Sequence, residues 1–377
     1  MAAPKLRFKA FIKPYKNIKY EEFAPLQRGF DLPVSTIVDG EYPVVFSNGI
    51  LKKHNSFKAK APGVVTGRSG TIGNITWVDK DYWPHNTSLW VTNFFDNDPR
   101  YTFYFLQDFD VSRFASGSGV PTLNRNDVHA QLIHIPTDRN EQSKIATFLS
   151  AVDEKITQLT QKHQLLSQYK QGMMQKLFSQ QIRFKADDGS DFGDWEEKIL
   201  SQLFDYANGK SFEADVMENG KFKLITLNSI DIKGNLKKAH KTVENSDNSL
   251  IENDLIMILS DVAYGDFLGL TAIIPDNSYV LNQRVGRLRS KIDLNIYYMR
   301  FYINYNQKYF KLKGQGSSQL NLSKADILNF SINLPCLAEQ TKIANFLSAI
   351  DQKIDVVSEQ LEQAKLWKKG LLQQMFV

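Results

Sequence analysis

Residues 141–156 read EQSKIATFLSAVDEKI and residues 339–354 read EQTKIANFLSAIDQKI, identical at twelve of sixteen positions. The offset, 339 − 141 = 198 residues, persists to 169–178 (YKQGMMQKLF) and 367–376 (WKKGLLQQMF). A shorter echo links LRFKA at 6–10 to IRFKA at 182–186. Such a chain is two copies of one unit, a variable globular stretch followed by a similar long helix, and it is built to do one task twice.

The repeated segments have coiled-coil spacing. In the first, Ile145, Leu149, Val152, Ile156, Leu159, His163, Leu166, Lys170, Met173 and Leu177 follow one another at intervals of four and three. In the second, Ile343, Leu347, Ile350, Ile354, Val357, Leu361, Ala364, Lys368, Leu371 and Met375 do the same. Five heptads with mainly apolar a and d positions predict a coiled coil, each helix about 60 Å long. Neither segment contains proline, and each begins just after one, Pro136 or Pro335. Asp138 and Glu141 make a capping pair for the first helix. His163 and the two seam lysines fix register rather than add stability. The two helices are expected to pair with each other. Parallel packing would put both globular regions at one end; antiparallel packing, the expectation adopted, would put them at opposite ends about a pseudo-twofold axis.

The remaining stretches are rich in short β-type runs broken by turn residues, such as 42–46, 64–66 and 74–78, then 223–227, 255–259 and 270–274. Each also carries an aromatic-rich run that reads as helix, starting at 100 and spanning 295–309, and a glycine loop ending in asparagine, GSGVPTLN at 117–124 and GQGSSQLN at 314–321. Both stretches read as α/β (α+β) domains of similar fold. The predicted organisation is a first domain at 1–137, a helical region at 138–180, a second domain at 181–336 and a helical region at 337–377. The polar run KADDGSDFGD at 185–194 is the linker into the second domain.

No catalytic set emerges. GRSGTIG at 67–73 lacks the Lys-Ser/Thr ending of a phosphate loop and reads as a tight turn. Asp98-Pro99-Arg100-Tyr101 is one proline short of an amino-methyltransferase signature and reads as a turn entering a helix. Glu196-Glu197-Lys198 reads as a charged helix start rather than a nuclease fragment. The six histidines, His129 and His134 among them, and the single Cys336 have no zinc spacing. One cysteine excludes an intrachain disulfide and fits a reducing cytoplasm. No apolar run approaches membrane-spanning length. A net charge of +5 permits a nucleic-acid partner without demanding one.

Candidate binding residues are basic, amide and hydroxyl side chains near flexible loops, suited to phosphates and base edges. They are Lys52, Lys53, Arg68, Ser69 and Arg125 in the first domain. In the second they are Lys210, Lys237, Lys238, Arg284, Lys313, Gln315, Ser317 and Gln319. Taken singly, each is more simply a solvated surface group, so the case for DNA rests on the architecture.

That architecture resembles the specificity subunit of a type I restriction-modification system. The resemblance covers the whole chain and is carried by the repeated proline, Glu-Gln, Lys-Ile-Ala, Phe-Leu, Asp and Lys-Ile pattern. The entry at 195–203 fits the family's second-domain opening, and 15–26 departs from it. The resemblance implies two target-recognition domains on double-stranded DNA, each reading half of a bipartite sequence. It implies helices that set the gap and dock two modification subunits, with restriction subunits in the full complex. S-adenosylmethionine, ATP and Mg would belong to those partners, leaving this chain non-catalytic, without cofactor or metal, and cytoplasmic. Two other readings are the recognition half of a fused restriction or methylation enzyme, which lacks its motifs here, and a coiled-coil adaptor, which gives no reason for two large loop-rich domains.

Overall fold

The computed structural model describes residues 4–117, 119–247, 249–262, 265–316 and 319–376. The chain forms two compact units. Unit 1 is Met1–His163 with Val357–Val377, and unit 2 is Gln164–Val356. Two uninterrupted helices, Arg139–Phe178 and Leu337–Met375, are each shared between the units.

Within unit 1 the N-terminal part of the first long helix packs on the C-terminal part of the second. Phe148 meets Trp367 edge-on at 6.0 Å, and Lys368 reaches Asp153 at 2.7 Å. Within unit 2 the roles exchange: Tyr169 meets Phe346 at 6.4 Å and Lys170 reaches Asp351 at 2.6 Å. This is antiparallel pairing, and the contacts of one unit recur in the other at the 198-residue offset (351 − 153 = 198; 368 − 170 = 198). Each seam lysine also lies beside a ring, Lys368 at 5.5 Å from Tyr104 and Lys170 at 5.0 Å from Phe301. Half-buried ion pairs of this kind specify register more than they stabilise.

The seam has a second duty that heptad spacing alone does not reveal. Ile145, Leu149 and Val152 are buried in one core with Tyr20, Phe105 and Ile133 of the globular body and with Leu371 and Met375 of the other helix. Ile343, Leu347, Ile350 and Ile354 likewise join the core of unit 2. Leu159 and Val357 are buried, while Ile156, Leu166 and Leu361 are half-buried. The first half of each helix is thus part of a domain core as well as a coil.

The globular bodies share a topology. Unit 1 has a four-stranded antiparallel sheet in the order Leu26–Arg28, Ser88–Val91, Gly63–Gly67, Ile75–Val78. Unit 2 repeats it with Phe204–Asn208, Val285–Ser290, Leu255–Ile258, Thr271–Ile273. The strand Gly63–Gly67 (GVVTG) is buried along its whole length, as a β-branched run between two neighbours should be. In each unit another strand pairs one neighbour antiparallel and one parallel: Tyr42–Phe46 with Gly49–His54 and Trp83–Pro84, and Phe222–Ile225 with Lys241–Val243 and Tyr279–Leu281. Each body opens on a strand paired to its last strand, Tyr15–Lys19 to Leu132–Pro136 and Glu196–Ile199 to Ser331–Leu334. One-turn helices follow, with Tyr20 at the place of Leu200.

The aromatic helices are Pro99–Phe109 and Ile296–Tyr305. Asp98 caps the first, accepting from the Arg100 and Tyr101 amides at 2.8 and 3.0 Å, with Pro99 at the first helical position. Asp98-Pro99-Arg100-Tyr101 is therefore a helix start. Asn295 caps the second through the Tyr298 amide at 3.0 Å.

Three sequence expectations need correction. Glu196-Glu197-Lys198 lies in a strand, where Ser331 donates to Glu197 at 2.7 Å, because cross-strand pairing outweighs its helix-like charge pattern. Residues 185–194 are a tied strap rather than a free linker. Lys185 bridges Asp191, Lys342 holds Asp187 at 2.6 Å, and Arg183 donates to the Gly193 carbonyl at 2.7 Å. Asp138 does cap the first long helix through the Asn140 amide at 2.9 Å, but Glu141 turns inward.

Glu141 is fully buried and accepts from Arg7 Nε and Nη2, each at 2.7 Å, with the Tyr15 hydroxyl donating at 3.3 Å. Glu339, also fully buried, takes Arg183 at 3.0 and 2.7 Å and the Trp195 indole N–H at 2.9 Å. Each guanidinium's pKa is raised, chiefly by its hydrogen bond to the carboxylate. The adjoining glutamines are equally occupied. Gln142 donates to the Pro136 carbonyl and accepts from the Asp98 amide; Gln340 donates to the Pro335 carbonyl and accepts from the Asn295 amide. The Pro and Glu-Gln signature thus ties the last strand, the aromatic helix and the RFKA segment to each long helix. The faint RFKA echo acquires its reason here. The Leu6 amide bonds the Gln374 carbonyl at 2.8 Å as the Ile182 amide bonds that of Lys176 at 3.3 Å, so residues 6–10 continue the second helix in space as 182–186 continue the first in sequence.

Candidate nucleic-acid interface

In unit 1 three loops meet where the strand Gly63–Gly67 ends. The Arg68 and Ser69 amides donate to the Thr87 carbonyl at 2.8 and 3.2 Å, and the Leu123 amide donates to the Arg68 carbonyl at 2.7 Å. Ser69 bridges Thr122, and the Gly70 amide reaches the Pro121 carbonyl. The predicted tight turn at 67–73 and the glycine loop at 117–124 are therefore neighbours. Gly67 is required by this closeness: a Cβ there would lie 1.7 Å from the Thr71 carbonyl oxygen.

Unit 2 builds the same junction. The Leu259 amide donates to the Arg284 carbonyl at 3.2 Å, and the Leu322 amide donates to the Leu259 carbonyl at 2.8 Å. Leu259 thus stands where Arg68 does, and Arg284 where Thr87 does. Ser260–Val262 pairs with Gln319–Asn321, and Gln315 and Asn321 exchange backbone bonds at 3.0 and 2.9 Å.

The junction is stiffened from below. The His85 amide bonds the Val45 carbonyl at 2.9 Å, and its equivalent Asn282 bonds Ile225 at 3.2 Å. The His85 ring sits between Thr87 Oγ1 and the Leu32 carbonyl, and burial holds its pKa below the ordinary histidine value, so it serves as a neutral hydrogen-bonding strut. Gly29 and Gly209 lie against these residues, and a Cβ on either would sit 2.2 Å from the backbone oxygen of His85 or Asn282. A rigid base under exposed loops suits recognition, since the cost of ordering the reader is met before binding.

The sequence candidates divide on this frame. Arg68, Ser69 and Arg125 belong to the unit 1 junction, Arg125 opening the short helix capped by Asn124. Lys210, Arg284, Gln315 and Gln319 belong to that of unit 2, where Lys210 bridges Asn282 and Gln319 bonds Asn321. Lys313 directly precedes this loop, 5.9 Å from the Tyr309 ring. Lys52 and Lys53 are exposed on the strand Gly49–His54, opposite Val44 and Pro43, and no bond joins them to the junction among the described residues. Lys237 and Lys238 precede the strand Lys241–Val243, with the Lys237 amide on the Ser229 carbonyl. Ser317 lies outside the described residues. Asn321 was visible as the asparagine that ends the second glycine loop; the sequence reading did not single out Thr87, which carries no local signal, or Arg113, whose guanidinium lies 4.7 Å from both Phe109 and Phe114.

The junction offers donors, acceptors and cations on exposed loops. Among the described residues no group of three or more His, Cys, Asp or Glu could hold a metal ion, and no helix is long and apolar enough to cross a membrane.

Comparison with known proteins agrees with this architecture. The model of the type I restriction modification DNA specificity domain matches residues 13–168 and again 193–366. The type I restriction enzyme MjaVIII specificity subunit of Methanocaldococcus jannaschii is 28% identical over 296 residues, covering 73% of this chain and 68% of that one. The crystal structure of a type I restriction-modification system S subunit from M. genitalium superposes with a TM-score of 0.69 at 18% identity, over 100% of this chain and 99% of that one. A structure described as showing complex assembly and conformational transition of the type I R-M system gives 0.59 at 15% identity, over 96% and 97%. The chain belongs to the family of type I restriction modification DNA specificity domains, of which it carries two, and is a specificity subunit of a type I restriction-modification system.

Proposed function

We propose that each three-loop junction reads one half of a bipartite double-stranded DNA target, while the long helices fix the gap and dock two modification subunits. The chain itself is non-catalytic in this reading. S-adenosylmethionine serves the modification subunits, and ATP and Mg serve restriction subunits where these join. One observation carries the reading: the two units share sheet order and junction hydrogen bonds, yet present different side chains there, while the helices open on sixteen residues that match at twelve positions. Equal frames with unequal reading surfaces suit an asymmetric target, and equal helices suit two copies of one partner.

Arg68→Glu and Arg284→Glu are each expected to weaken binding of the assembled complex to its target. A lost base contact costs about 1–3 kcal/mol, and a lost phosphate contact lowers the salt slope by about one. Binding titrations across salt concentrations check this, and an affinity and slope unchanged by both variants would remove these arginines from the interface. Insertion of one heptad into both long helices, at 161–164 and at the equivalent 359–362, lengthens the coil by about 10 Å. The gap between methylated half-sites is expected to grow by about three base pairs while the half-sites themselves persist. An unchanged gap would show that the helices do not set it.

A further inference from the structure

In each unit the ladder that runs into the junction is followed by one further pair of residues. In unit 1 the last rung joins Gly67 to Ser88, and the next pair is Arg68 and Thr87. In unit 2 the last rung joins Ile258 to Val285, and the next pair is Leu259 and Arg284. One backbone bond closes each pair, at 2.8 Å from Arg68 to Thr87 and at 3.2 Å from Leu259 to Arg284. Each pair carries one guanidinium, and the two units place it on opposite members. The neighbours account for the exchange. Thr87 Oγ1 is occupied by the His85 ring at 2.9 Å and the Ser47 amide at 3.3 Å. Leu259 is buried in the core of unit 2. Neither place suits a cation. The strut of unit 2 is held by the side chain of Asn282 itself, on Glu213 at 3.0 Å and on the Phe212 amide at 3.3 Å, which leaves position 284 free to carry one.

Neither guanidinium is used by the fold. Arg68 is half-buried and Arg284 exposed, and neither makes a side-chain hydrogen bond or ion pair among the described residues. Arg7, Arg183, Arg287 and Arg289, by contrast, each sit on a carboxylate within 2.7 Å. Glu213 feels the charge of Arg284, but Lys241 at 3.1 Å and Asn282 at 3.0 Å hold that carboxylate. What remains in each unit is an open planar fork on a strand end whose backbone is bonded in place where three loops meet. A phosphate needs only a point charge, which an exposed lysine supplies as well. A fork with two parallel donors and a fixed root matches the two acceptors of guanine in the major groove, O6 and N7.

We propose that Arg68 and Arg284 are equivalent specificity-determining residues, each donating both arms of its guanidinium to O6 and N7 of one guanine, one guanine in each half-site. The inference rests on the reading above that the junctions face DNA, and it names the base they require. It also gives the divergence of the two units a limit. The surrounding side chains differ, yet each frame keeps one free guanidinium on the pair beyond its ladder. Moving that group from one strand to its neighbour displaces its root by about 4.8 Å, a little more than one base-pair rise of about 3.4 Å, so the required guanine falls at different places in the two half-sites.

The test uses the full chain assembled with its modification subunit. Affinities are titrated across salt concentrations on duplexes carrying every single-base change of the methylated target. The unaltered complex is expected to require a G·C pair in each half-site. Arg68→Gln is expected to lose at least about fivefold discrimination at one such pair in one half-site and to turn there towards A·T, because glutamine pairs with adenine. Arg284→Gln is expected to do the same in the other half-site. All other positions, the salt slope and the unfolding midpoint are expected to hold. Equal weakening on every duplex, with a salt slope lower by about one, would assign the guanidinium to a phosphate and overturn the inference while leaving the junctions on DNA. Unchanged preferences would overturn it as well, and so would a lowered unfolding midpoint or lost assembly, because the arginine would then serve the fold. Changes by both variants within a single half-site, or no half-site preference in the unaltered complex, would overturn the reading of one half by each junction together with the inference.

Discussion

Arg183→Ala is expected to lower the unfolding free energy of unit 2 by about 3 kcal/mol, the low end of what breaking a buried ion pair costs. Glu339 has no access to solvent, so removing its partner leaves a carboxylate whose lost hydration is no longer offset. Arg183 is one-quarter exposed and the Trp195 N–H would remain on Glu339, which keeps the loss at the lower end of the range. The same change also frees the strap at the Gly193 carbonyl. Glu339→Gln should cost less, because the amide still accepts from the indole and the arginine it leaves can turn to water. Arg7→Ala should act alike on unit 1, where the remaining donor, the Tyr15 hydroxyl at 3.3 Å, is the weaker one. Urea unfolding of the single variants gives these values directly. A loss below about 1 kcal/mol for Arg183→Ala would mean that the Glu-Gln signature is retained for some purpose other than holding the unit together.

The helices were legible because a coil loses register on any insertion other than a whole heptad matched in both helices, so one offset of 198 survives along them. The domains tolerate insertions between strands, and their offset drifts. It is 180 at the close-packed glycines (209 − 29) and 191 at the strand end (259 − 68). It is 197 at the buried struts (282 − 85) and 198 from Glu141 onward. A fixed-offset comparison therefore detects the helices and misses two bodies with the same sheet order. Strand positions were readable from β-branched runs such as 42–46, which the structure reproduces as Tyr42–Phe46. The burial of Glu141 was not readable, because a glutamate three residues after Asp138 has the pattern of a cap and its partner Arg7 lies 134 residues away. At the candidate interface, glycine loops were visible as loops but not as neighbours. The bonds joining Arg68 to Thr87 and Leu123 are backbone bonds, which side-chain identity does not encode. Lys52 and Lys53 drew attention by charge alone, and charge without placement does not distinguish a reading surface from a solvated strand.

Exchange of residues 1–137 for the corresponding domain of another specificity subunit is expected to replace one half-site completely and leave the other untouched. The bonds that join this body to the long helices include those of Glu141 and Gln142, Ser143 on Asp98, and the Tyr104 hydroxyl on Ser150 and Asp153, so an incoming domain that supplies a basic residue at Arg7, a helix cap at Asp98 and a hydroxyl at Tyr104 can seat on the same frame. Reading by unit 2 depends on its own junction around Leu259, Arg284 and Leu322, whose bonds all lie within that unit. Single-molecule sequencing of methylated DNA from cells carrying the exchanged chain with its modification subunit tests the central claim most directly. The account predicts a bipartite methylated sequence with one new half, one original half and the original gap; both halves changed, or neither, would contradict it.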